Sequence, residues 1–216
     1  MYKHLYDKFK NWYDNNATIY LYSDPHFSDH EMPNIRTNYI SDEEQVKRIN
    51  SKVGKNDTII FLGDIGNVEC VKKIRGHKIL IMGNHDAGYS NYIRQKIEYI
   101  ENQKTYQDTN IVCFKPITVL KDNHLFDEVY EGPLIISEKI ILSHEPVDFP
   151  FMLNIHGHTH NAKYKVDANH LCVCAEHIDY TPVRLNDIIK SGVLGKIDSI
   201  HRETIDRATE RKRKKK

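Results

Sequence analysis

One short pattern recurs along this chain and limits the folds open to it: a run of apolar residues that ends in polar ones. Its fullest form is Ile79–Asp86, where Ile-Leu-Ile-Met is followed by Gly-Asn-His-Asp. Four apolar residues predict a short buried strand, and the glycine frees the backbone to turn. Open α/β sheets bind ligands beyond the carboxyl ends of their strands. Since Asn, His and Asp are costly to bury and rarely serve packing, the segment is either a capped turn or part of a site.

The same arrangement follows four other predicted strands. These runs are rich in apolar residues and end in Asp or His: Thr18–Ser23 before Asp24 and His26, Asp57–Leu62 before Gly63 and Asp64, Lys139–Leu142 before His144, and Phe151–Ile155 before His158 and His160. In extended backbone, residues two apart point the same way. We therefore expect Asp24 and His26 to share a face, and likewise His158 and His160.

The first three strands alternate with segments of helical character. Asp42–Lys52 is predicted to be a helix with Ser41 as its N-cap, and Val68–Arg75 is predicted to be a second. The order strand, helix, strand, helix, strand is a βαβ pattern with a parallel sheet. From Ile111 onward, several short runs separated by turn residues predict a second, more antiparallel set of strands. Asp187–Val193 is predicted to be a helix.

Length and composition fit one globular domain, which we place at residues 1–208. The chain has 216 residues, of which 39% are hydrophobic and 28% charged. It shows neither an apolar signal region nor a run near the ~18 apolar residues of a membrane span, so we expect a cytoplasmic protein with no membrane partner. The four cysteines are interpreted as reduced and packed: Cys70, Cys113, Cys172 and Cys174.

The net charge of +1 arises from the C-terminal end of the chain. The last six residues, Arg211–Lys216, are all basic, and the remaining 25 basic and 30 acidic residues leave a charge of −5. Proteins that grip duplex backbone usually present a basic face, and this body has no local basic cluster. We interpret residues 209–216 as a solvated, disordered tail, with contact to nucleic acid or a nuclear address as the alternatives.

Two segments are interpreted as loops or covers near the strand ends. Phe27–Tyr39 is polar and irregular, and its Arg36 either contacts an anionic substrate or, as we favour, forms a surface salt bridge. Ala87–Asn110 is rich in tyrosine. Its aromatic residues either pack in the core, as we favour, or cover the site and stack on a base.

The polar residues at the strand ends have the composition of a metal site. They combine carboxylates, an amide oxygen and imidazoles: Asp24, His26, Asp64, Asn84, His85, Asp86, His144, His158 and His160. Oxygen and nitrogen donors without thiolate suit Mn²⁺, Fe, Zn²⁺, Co²⁺ or Ni²⁺ rather than Ca²⁺. There are enough ligands for two ions, and two cations ~4 Å apart need a bridging anion, which a central Asp can supply. The alternative, capping acids and core histidines, requires nine coincidences.

These residues resemble the five motifs of the calcineurin-like metallophosphoesterases. The motifs are Asp24-x-His26, Gly63-Asp64, Gly83–Asp86, His144 and Gly157–His160, in the family's order. The match extends from about Thr18 to Pro182 and is similar to small bacterial and phage members. The resemblance implies an α/β fold, a four-layer αββα sandwich of two mixed β-sheets flanked by helices, with the site at one end.

The resemblance also implies roles for the residues. Asp24, His26 and His160 would hold a first divalent metal, while Asn84, His144 and His158 would hold a second. Asp64 would bridge them, and a hydroxide between the metals would attack phosphorus. His85 would be the catalytic residue at the leaving group, with Asp86 orienting it. Mn²⁺ is the metal we expect first, with Fe, Zn²⁺, Ni²⁺ or Co²⁺ as alternatives.

Departures from the family's patterns narrow the substrate. The protein Ser/Thr phosphatases carry Asp-Arg-Gly after the second motif and Glu after the Asn-His pair, whereas this chain has Gly63–Asn67 and Asp86 at these places. This favours a small phosphodiester or nucleotide substrate, including cyclic nucleotides. Asn67 stands where many relatives have an acid. The alternatives are a nuclease acting on nucleic-acid ends and a catalytically silent metal-binding interaction module.

Overall fold

The computed structural model describes residues 18–86, 125–137, 139–161 and 167–198. Four expectations lie outside these residues: the tyrosine-rich segment Ala87–Asn110, the runs at residues 111–114 and 117–120, the basic tail at residues 209–216, and the state of Cys113. The three cysteines that are described, Cys70, Cys172 and Cys174, are free thiols, two of them buried and Cys172 half-buried.

The described residues form nine strands. In chain order they are β1 (Ile19–Tyr22), β2 (Thr58–Phe61), β3 (His77–Ile81), β4 (Glu128–Tyr130), β5 (Leu134–Ser137), β6 (Ile140–Leu142), β7 (Leu153–His156), β8 (His170–Cys172) and β9 (Val183–Arg184). The first sheet has the order β4-β3-β2-β1-β9 and the second has the order β5-β6-β7-β8. In the first sheet β1 to β4 are parallel, as the βαβ pattern predicts, and β9 runs antiparallel to β1.

The second sheet corrects one expectation. We expected a more antiparallel set of strands, but among the described strands only β5 and β6 pair in that way, while β6 is parallel to β7 and β7 to β8. The pairing fits the lengths of the connections. Only residues 138 and 139 separate β5 from β6, whereas longer segments follow β6 and β7, and parallel strands need such longer connections. Because β6 and β7 are parallel, the residues that follow them emerge at the same edge.

Three helices are present among the described residues: α1 (Met32–Ile35), α2 (Asp42–Lys52) and α3 (Leu185–Lys190). The predicted helix over Asp42–Lys52 is confirmed, and the Ser41 hydroxyl accepts the backbone N–H of Glu44 at 3.3 Å. The predicted helix over Asp187–Val193 begins earlier, at Leu185, and ends at Lys190 before a separate 3₁₀ turn over Val193–Gly195.

The prediction of a helix over Val68–Arg75 is wrong. The segment contains only a 3₁₀ turn over Val71–Lys73. Its backbone N–H groups bond three residues back, for example Val71 to the carbonyl of Val68 at 2.9 Å. This tighter turn suffices to bury Val71 in the core beside α2.

The sandwich of two mixed sheets flanked by helices is confirmed. Alternate residues of the first sheet face the second across an apolar core, among them Leu21, Ile60 and Ile79 from the first sheet and Leu142 and Ile155 from the second. The intervening residues of the first sheet form a second core on its other face, beneath α2. This core contains Tyr22, Ile59, Phe61 and Leu80 from the sheet, and Val46, Ile49 and Val53 from α2 and the residue after it. No helix among the described residues has the length and apolar character needed to cross a membrane.

The two sheets are joined where their parallel strands end. Beyond β1, the N–H of Ser23 bonds the carbonyl of Val173 at 3.1 Å, and the N–H of Ala175 bonds the carbonyl of Ser23 at 2.9 Å. This link brings the residue after β1 next to the segment after β8. The carboxyl ends of strands from both sheets therefore meet at one end of the sandwich.

Candidate metal centre

All nine predicted site residues lie at this shared end. The residues after β1, β2 and β3 come from the first sheet, and those after β6 and β7 come from the second. Their donor atoms form two groups in which every ligand atom lies within 4.8 Å of the others. One contains Asp24, His26 and His160, and the other contains Asp64, His144 and His158.

The first group surrounds two buried polar atoms without hydrogen-bond partners in the described part of the chain, Asp24 Oδ1 and His26 Nε2. These atoms are 3.9 Å apart, and His160 Nε2 is 3.5 Å from the same Asp24 oxygen. The other carboxylate oxygen, Oδ2, accepts the backbone N–H of His158 at 2.9 Å. Buried polar atoms are normally paired. Unpaired oxygen and nitrogen donors that face one another fit a divalent cation.

The second group is assembled around His144. Its Nε2 lies 2.9 Å from Asn84 Oδ1, 3.2 Å from His158 Nδ1 and 3.4 Å from Asp64 Oδ2. Asn84 thus joins this group, although it is exposed and the other members are buried or half-buried. The four residues supply two imidazoles, an amide oxygen and a carboxylate, again a donor set suited to a transition metal.

One carboxylate oxygen lies between the two groups. Asp64 Oδ2 is 3.6 Å from His26 Nε2 in the first group and 3.4 Å from His144 Nε2 in the second. The other oxygen of Asp64, Oδ1, accepts the backbone N–H of His85 at 2.9 Å. The carboxylate is therefore anchored on one side and directed between the groups on the other.

Two of the imidazoles are oriented by acceptors outside the groups. The Nδ1–H of His144 donates to the carbonyl of Leu62 at 2.7 Å, and the Nδ1–H of His160 donates to Glu176 Oε1 at 2.7 Å. With Nδ1 committed in this way, the Nε2 atom of each ring faces its group. Such bonds to the far nitrogen fix the tautomer of histidines that ligate metals.

Charge coupling across the site is strong. Burial by itself would lower the pKa of His144, but the hydrogen bond to Asp64 and the charges of Asp24 and Asp64 raise it to about 9. Burial would raise the pKa of Asp64, but the contact with His144 and the N–H of His85 lower it. At His26, burial prevails and the pKa is lowered. The Asp64 carboxylate is thus held ionised among imidazoles, as cation binding requires.

Left-handed backbone at five site residues corrects the expectation of extended geometry. Asp24, His26, Asp64, His158 and His160 have φ values between +43° and +65°. Asp24 and His26 do converge on one group, but through this turned backbone. His158 and His160 also have this turned backbone, and they join different groups. Non-glycine residues adopt this region rarely and at a cost of order 1–2 kcal/mol each.

Glycine is required at two points where backbone touches the site. A Cβ on Gly83 would collide with the Asp64 carboxylate and would lie 2.9 Å from His144 Cε1. A Cβ on Gly157 would collide with Ser23 Oγ and with Asp24 Oδ2. Both glycines precede predicted ligands, so the close approach of backbone to carboxylate explains these parts of the motifs.

His85 and Asp86 share a 3₁₀ turn over Asn84–Asp86 but face different surroundings. His85 is exposed, and its ring centroid lies 5.5 Å from that of His26. Asp86 is buried and accepts the backbone N–H groups of Gly83, Asp64 and Ile65 at 2.8 to 3.0 Å. The Asp86 carboxylate therefore fixes the loops that carry the ligands of the second group.

Arg36 differs from its expected place at the surface. Its side chain is fully buried, and its Nε lies 3.3 Å from Glu176 Oε2. The expectation of a surface salt bridge is therefore wrong, because the loop over residues 27–39 folds inward behind Asp24. A third group of donors, His160, Cys174 and Glu176, lies here. In this third group the Glu176 carboxylate is already paired with a cation, the Arg36 guanidinium.

Glu176 lies at this site, although the five motifs assign it no role. It directly follows the buried segment 173–175, just as the predicted ligands follow their strands. That repetition of an acid after an apolar run was the available signal in the sequence. Burial would raise its pKa, but the bond from His160 and the charge of Arg36 lower it.

The chain is similar to known proteins in family and in fold. The model of a family described as calcineurin-like phosphoesterase matches residues 17–180. Among solved structures, the chain is similar to the protein of unknown function AQ665 from Aquifex aeolicus, with a TM-score of 0.55 and 24% identity over 81% of this chain and 99% of that one. It is also similar to the Pseudomonas putida nuclease MPE, with a TM-score of 0.38 and 18% identity over 66% of this chain and 61% of that one. No curated protein matches the chain. The likeness to the Aquifex protein is one of fold.

Proposed function

The chain belongs to the calcineurin-like phosphoesterase family, and from that premise we propose that it hydrolyses phosphodiesters with the help of two divalent cations. The family supports a metal-dependent phosphoric ester hydrolase. The preference for diesters and the use of two metals are the finer parts of the proposal.

The observation that carries the proposal is the position of Asp64. Its Oδ2 lies within 3.6 Å of one imidazole nitrogen in each donor group. A single metal would need only one of these groups, whereas two metals need an anion between them. We assign Asp24, His26 and His160 to the first metal, Asn84, His144 and His158 to the second, and Asp64 to both.

The two metals, when bound, would supply an acidified water as nucleophile and positive charge for the phosphoryl oxygens. The chain supplies the framework. Asp64, His144 and His160 hold fixed positions because their far atoms bond backbone or buried groups, so little reorganisation accompanies the reaction. The Asp86 carboxylate holds together the backbone of Gly83, Asp64 and Ile65.

His85 is the side chain we assign to the leaving group. It is exposed beside the first group, and its backbone N–H is tied to Asp64, so its ring is free to meet a substrate oxygen. Histidine is the side chain that most often acts as a general acid in enzymes. Asp86 acts on this residue by fixing the turn that carries it, since its hydrogen bonds go to backbone groups.

The test compares a diester with a monoester on the same enzyme. Protein stripped with a chelator and refilled with Mn²⁺ is assayed on bis-p-nitrophenyl phosphate and on p-nitrophenyl phosphate. The proposal expects Mn²⁺-dependent cleavage, with the diester preferred. Refilling with Fe²⁺, Zn²⁺, Co²⁺ or Ni²⁺ in parallel ranks the metals, and cyclic nucleotides and oligonucleotides then refine the substrate class.

Matched variants distinguish hydrolysis by this protein from hydrolysis by a contaminating phosphatase. Asp64→Asn should lose the activity, whereas Asp179→Asn, which changes an exposed carboxylate paired with Arg48, should keep it. Preference for the monoester would overturn the diester assignment. Absence of cleavage of either substrate by protein shown to hold two metals would favour the binding-module alternative.

A further inference from the structure

We propose that Glu176 and Arg36 are positioning residues that contact two ligands of the first metal on the side away from the metal position. The inference rests on the proposed function, and it adds a buried ion pair whose task is to orient His160 and Asp24. Neither residue belongs to the five motifs.

The contact with His160 fixes the ring. Glu176 Oε1 lies 2.7 Å from His160 Nδ1, while His160 Nε2 lies 3.5 Å from Asp24 Oδ1. Because the carboxylate accepts the Nδ1 proton, the lone pair of Nε2 is left facing the metal position. A carboxylate that binds the far nitrogen of a metal-ligating histidine also raises the basicity of the ligand atom.

The contacts of Arg36 extend this support to Asp24. Its Nη2 donates to the Asp24 carbonyl at 2.7 Å, and its Nε lies 3.3 Å from Glu176 Oε2. Asp24 has a left-handed backbone, with φ of +53°, and a donor on its carbonyl helps to hold that conformation. One buried guanidinium thus connects two of the three ligands assigned to the first metal.

Because the pair is buried, the direction in which its disruption changes metal affinity can be predicted. The side chains of Arg36 and Glu176 are 0% and 1% exposed, so neither charge is well solvated. Removing only the carboxylate would leave an unpaired guanidinium 3.5 Å from His160 Nδ1, next to the metal position. The uncompensated positive charge would oppose cation binding, and the unpaired buried charge would also destabilise the fold.

Metal titration in single-site backgrounds tests the proposal. Asn84→Ala removes a ligand of the second site, and His26→Ala removes one of the first, so each background isolates the other site. Glu176→Gln should weaken Mn²⁺ binding about 10- to 100-fold in the Asn84→Ala background and leave it unchanged in the His26→Ala background. Adding Arg36→Met to Glu176→Gln should restore part of the loss, because it removes the unpaired charge.

A matched control addresses general effects of changing a buried glutamate. Glu128 is buried and lies 3.1 Å from His77 Nε2, in strand β4 and outside the donor groups. Glu128→Gln should leave both metal affinities unchanged. Thermal unfolding in EDTA measures the folding of every variant, and Arg36→Lys replaces Arg36→Met if the latter fails to fold.

The tautomer provides a readout independent of metal affinity and activity. Long-range ¹H–¹⁵N spectra of the Zn²⁺-loaded protein should show a protonated, hydrogen-bonded Nδ1 at His160. The resonance should persist in Glu176→Gln, whose amide oxygen can still accept, and should shift or disappear in Glu176→Ala. Equal metal affinity in all Glu176 variants, or an unprotonated Nδ1 in the wild type, would overturn the inference. Failure of the wild type to bind two metals would instead count against the proposed function.

Discussion

Replacing Asp64 by Asn isolates the charge of the carboxylate placed between the two donor groups. Asn has nearly the same shape and keeps one of the two oxygens, so the change removes a unit of negative charge with little change in packing. Asp64 Oδ2 lies 3.6 Å from His26 Nε2 and 3.4 Å from His144 Nε2. Any cation held by either group is therefore a close neighbour of this oxygen.

The expected loss follows from Coulomb's law at that separation. Two unit charges about 4 Å apart interact by about 4 kcal/mol at an effective dielectric constant of about 20. Each 1.4 kcal/mol is a factor of ten in affinity, so one lost unit of charge weakens each site by roughly 10²- to 10³-fold. A divalent ion increases the attraction, and the retained amide oxygen offsets part of the loss. Activity should become undetectable because both sites empty together.

Competition with a fluorescent chelator measures the Mn²⁺ affinities, and metal analysis after gel filtration gives the stoichiometry. Asp179→Asn is the matched control. Its carboxylate lies 3.1 Å from Arg48 Nη1, outside both donor groups, and is 81% exposed. It should leave both metal affinities unchanged, since an exposed pair contributes little. If Asp64→Asn loses only one of the two metals, Asp64 serves one site and the bridging assignment is wrong.

Three further predictions concern single features of the site. His85→Ala should keep both metals and lose about 10²- to 10⁴-fold in turnover, the usual contribution of a general acid, and full activity would exclude the leaving-group role. Gly83→Ala should destabilise the protein by about 1–3 kcal/mol and weaken metal binding, because the added Cβ would collide with the Asp64 carboxylate. Thermal unfolding measures the effect, with Gly195→Ala as the control because the space around Gly195 is open. In metal-free protein the pKa of His144 is raised to about 9, against about 6.5 in the unfolded chain. Its stabilising contribution is therefore complete below pH 6.5 and lost as the pH rises to 9, a fall on the order of 3 kcal/mol in unfolding free energy that His144→Gln should abolish.

The fold and the candidate ligands could be predicted because their signals are local. Apolar runs such as Ile79–Met82 specify buried strands, and parallel strands necessarily bring their carboxyl ends to one edge. The residues that follow them, among them Asp64 and Asn84, must then converge. The Ser41 cap of α2 could be predicted for the same reason, since a cap depends on a few neighbouring residues.

The missed features depend on contacts between distant segments. Arg is almost never fully buried unless it is paired, and its partner Glu176 lies far away in the sequence, so the expectation of a surface salt bridge for Arg36 followed the usual rule. The 3₁₀ turn at Val71–Lys73 differs from an α-helix in bonding three rather than four residues back, and the apolar spacing of Val68–Arg75 did not distinguish the two forms. Alternation predicted the convergence of Asp24 and His26, but not the left-handed backbone that produces it.

That left-handed backbone has a consequence for the history and engineering of the protein. Five assigned ligands adopt a conformation that glycine adopts without strain. Glycine at such a position would relax the backbone while deleting a metal ligand, so stability and catalysis compete at the same residues. Directed evolution for thermal stability alone should therefore accumulate substitutions that remove metal ligands. A metal-free, inactive descendant of this chain would be expected to retain the sandwich and to unfold at a higher temperature than its metal-free ancestor.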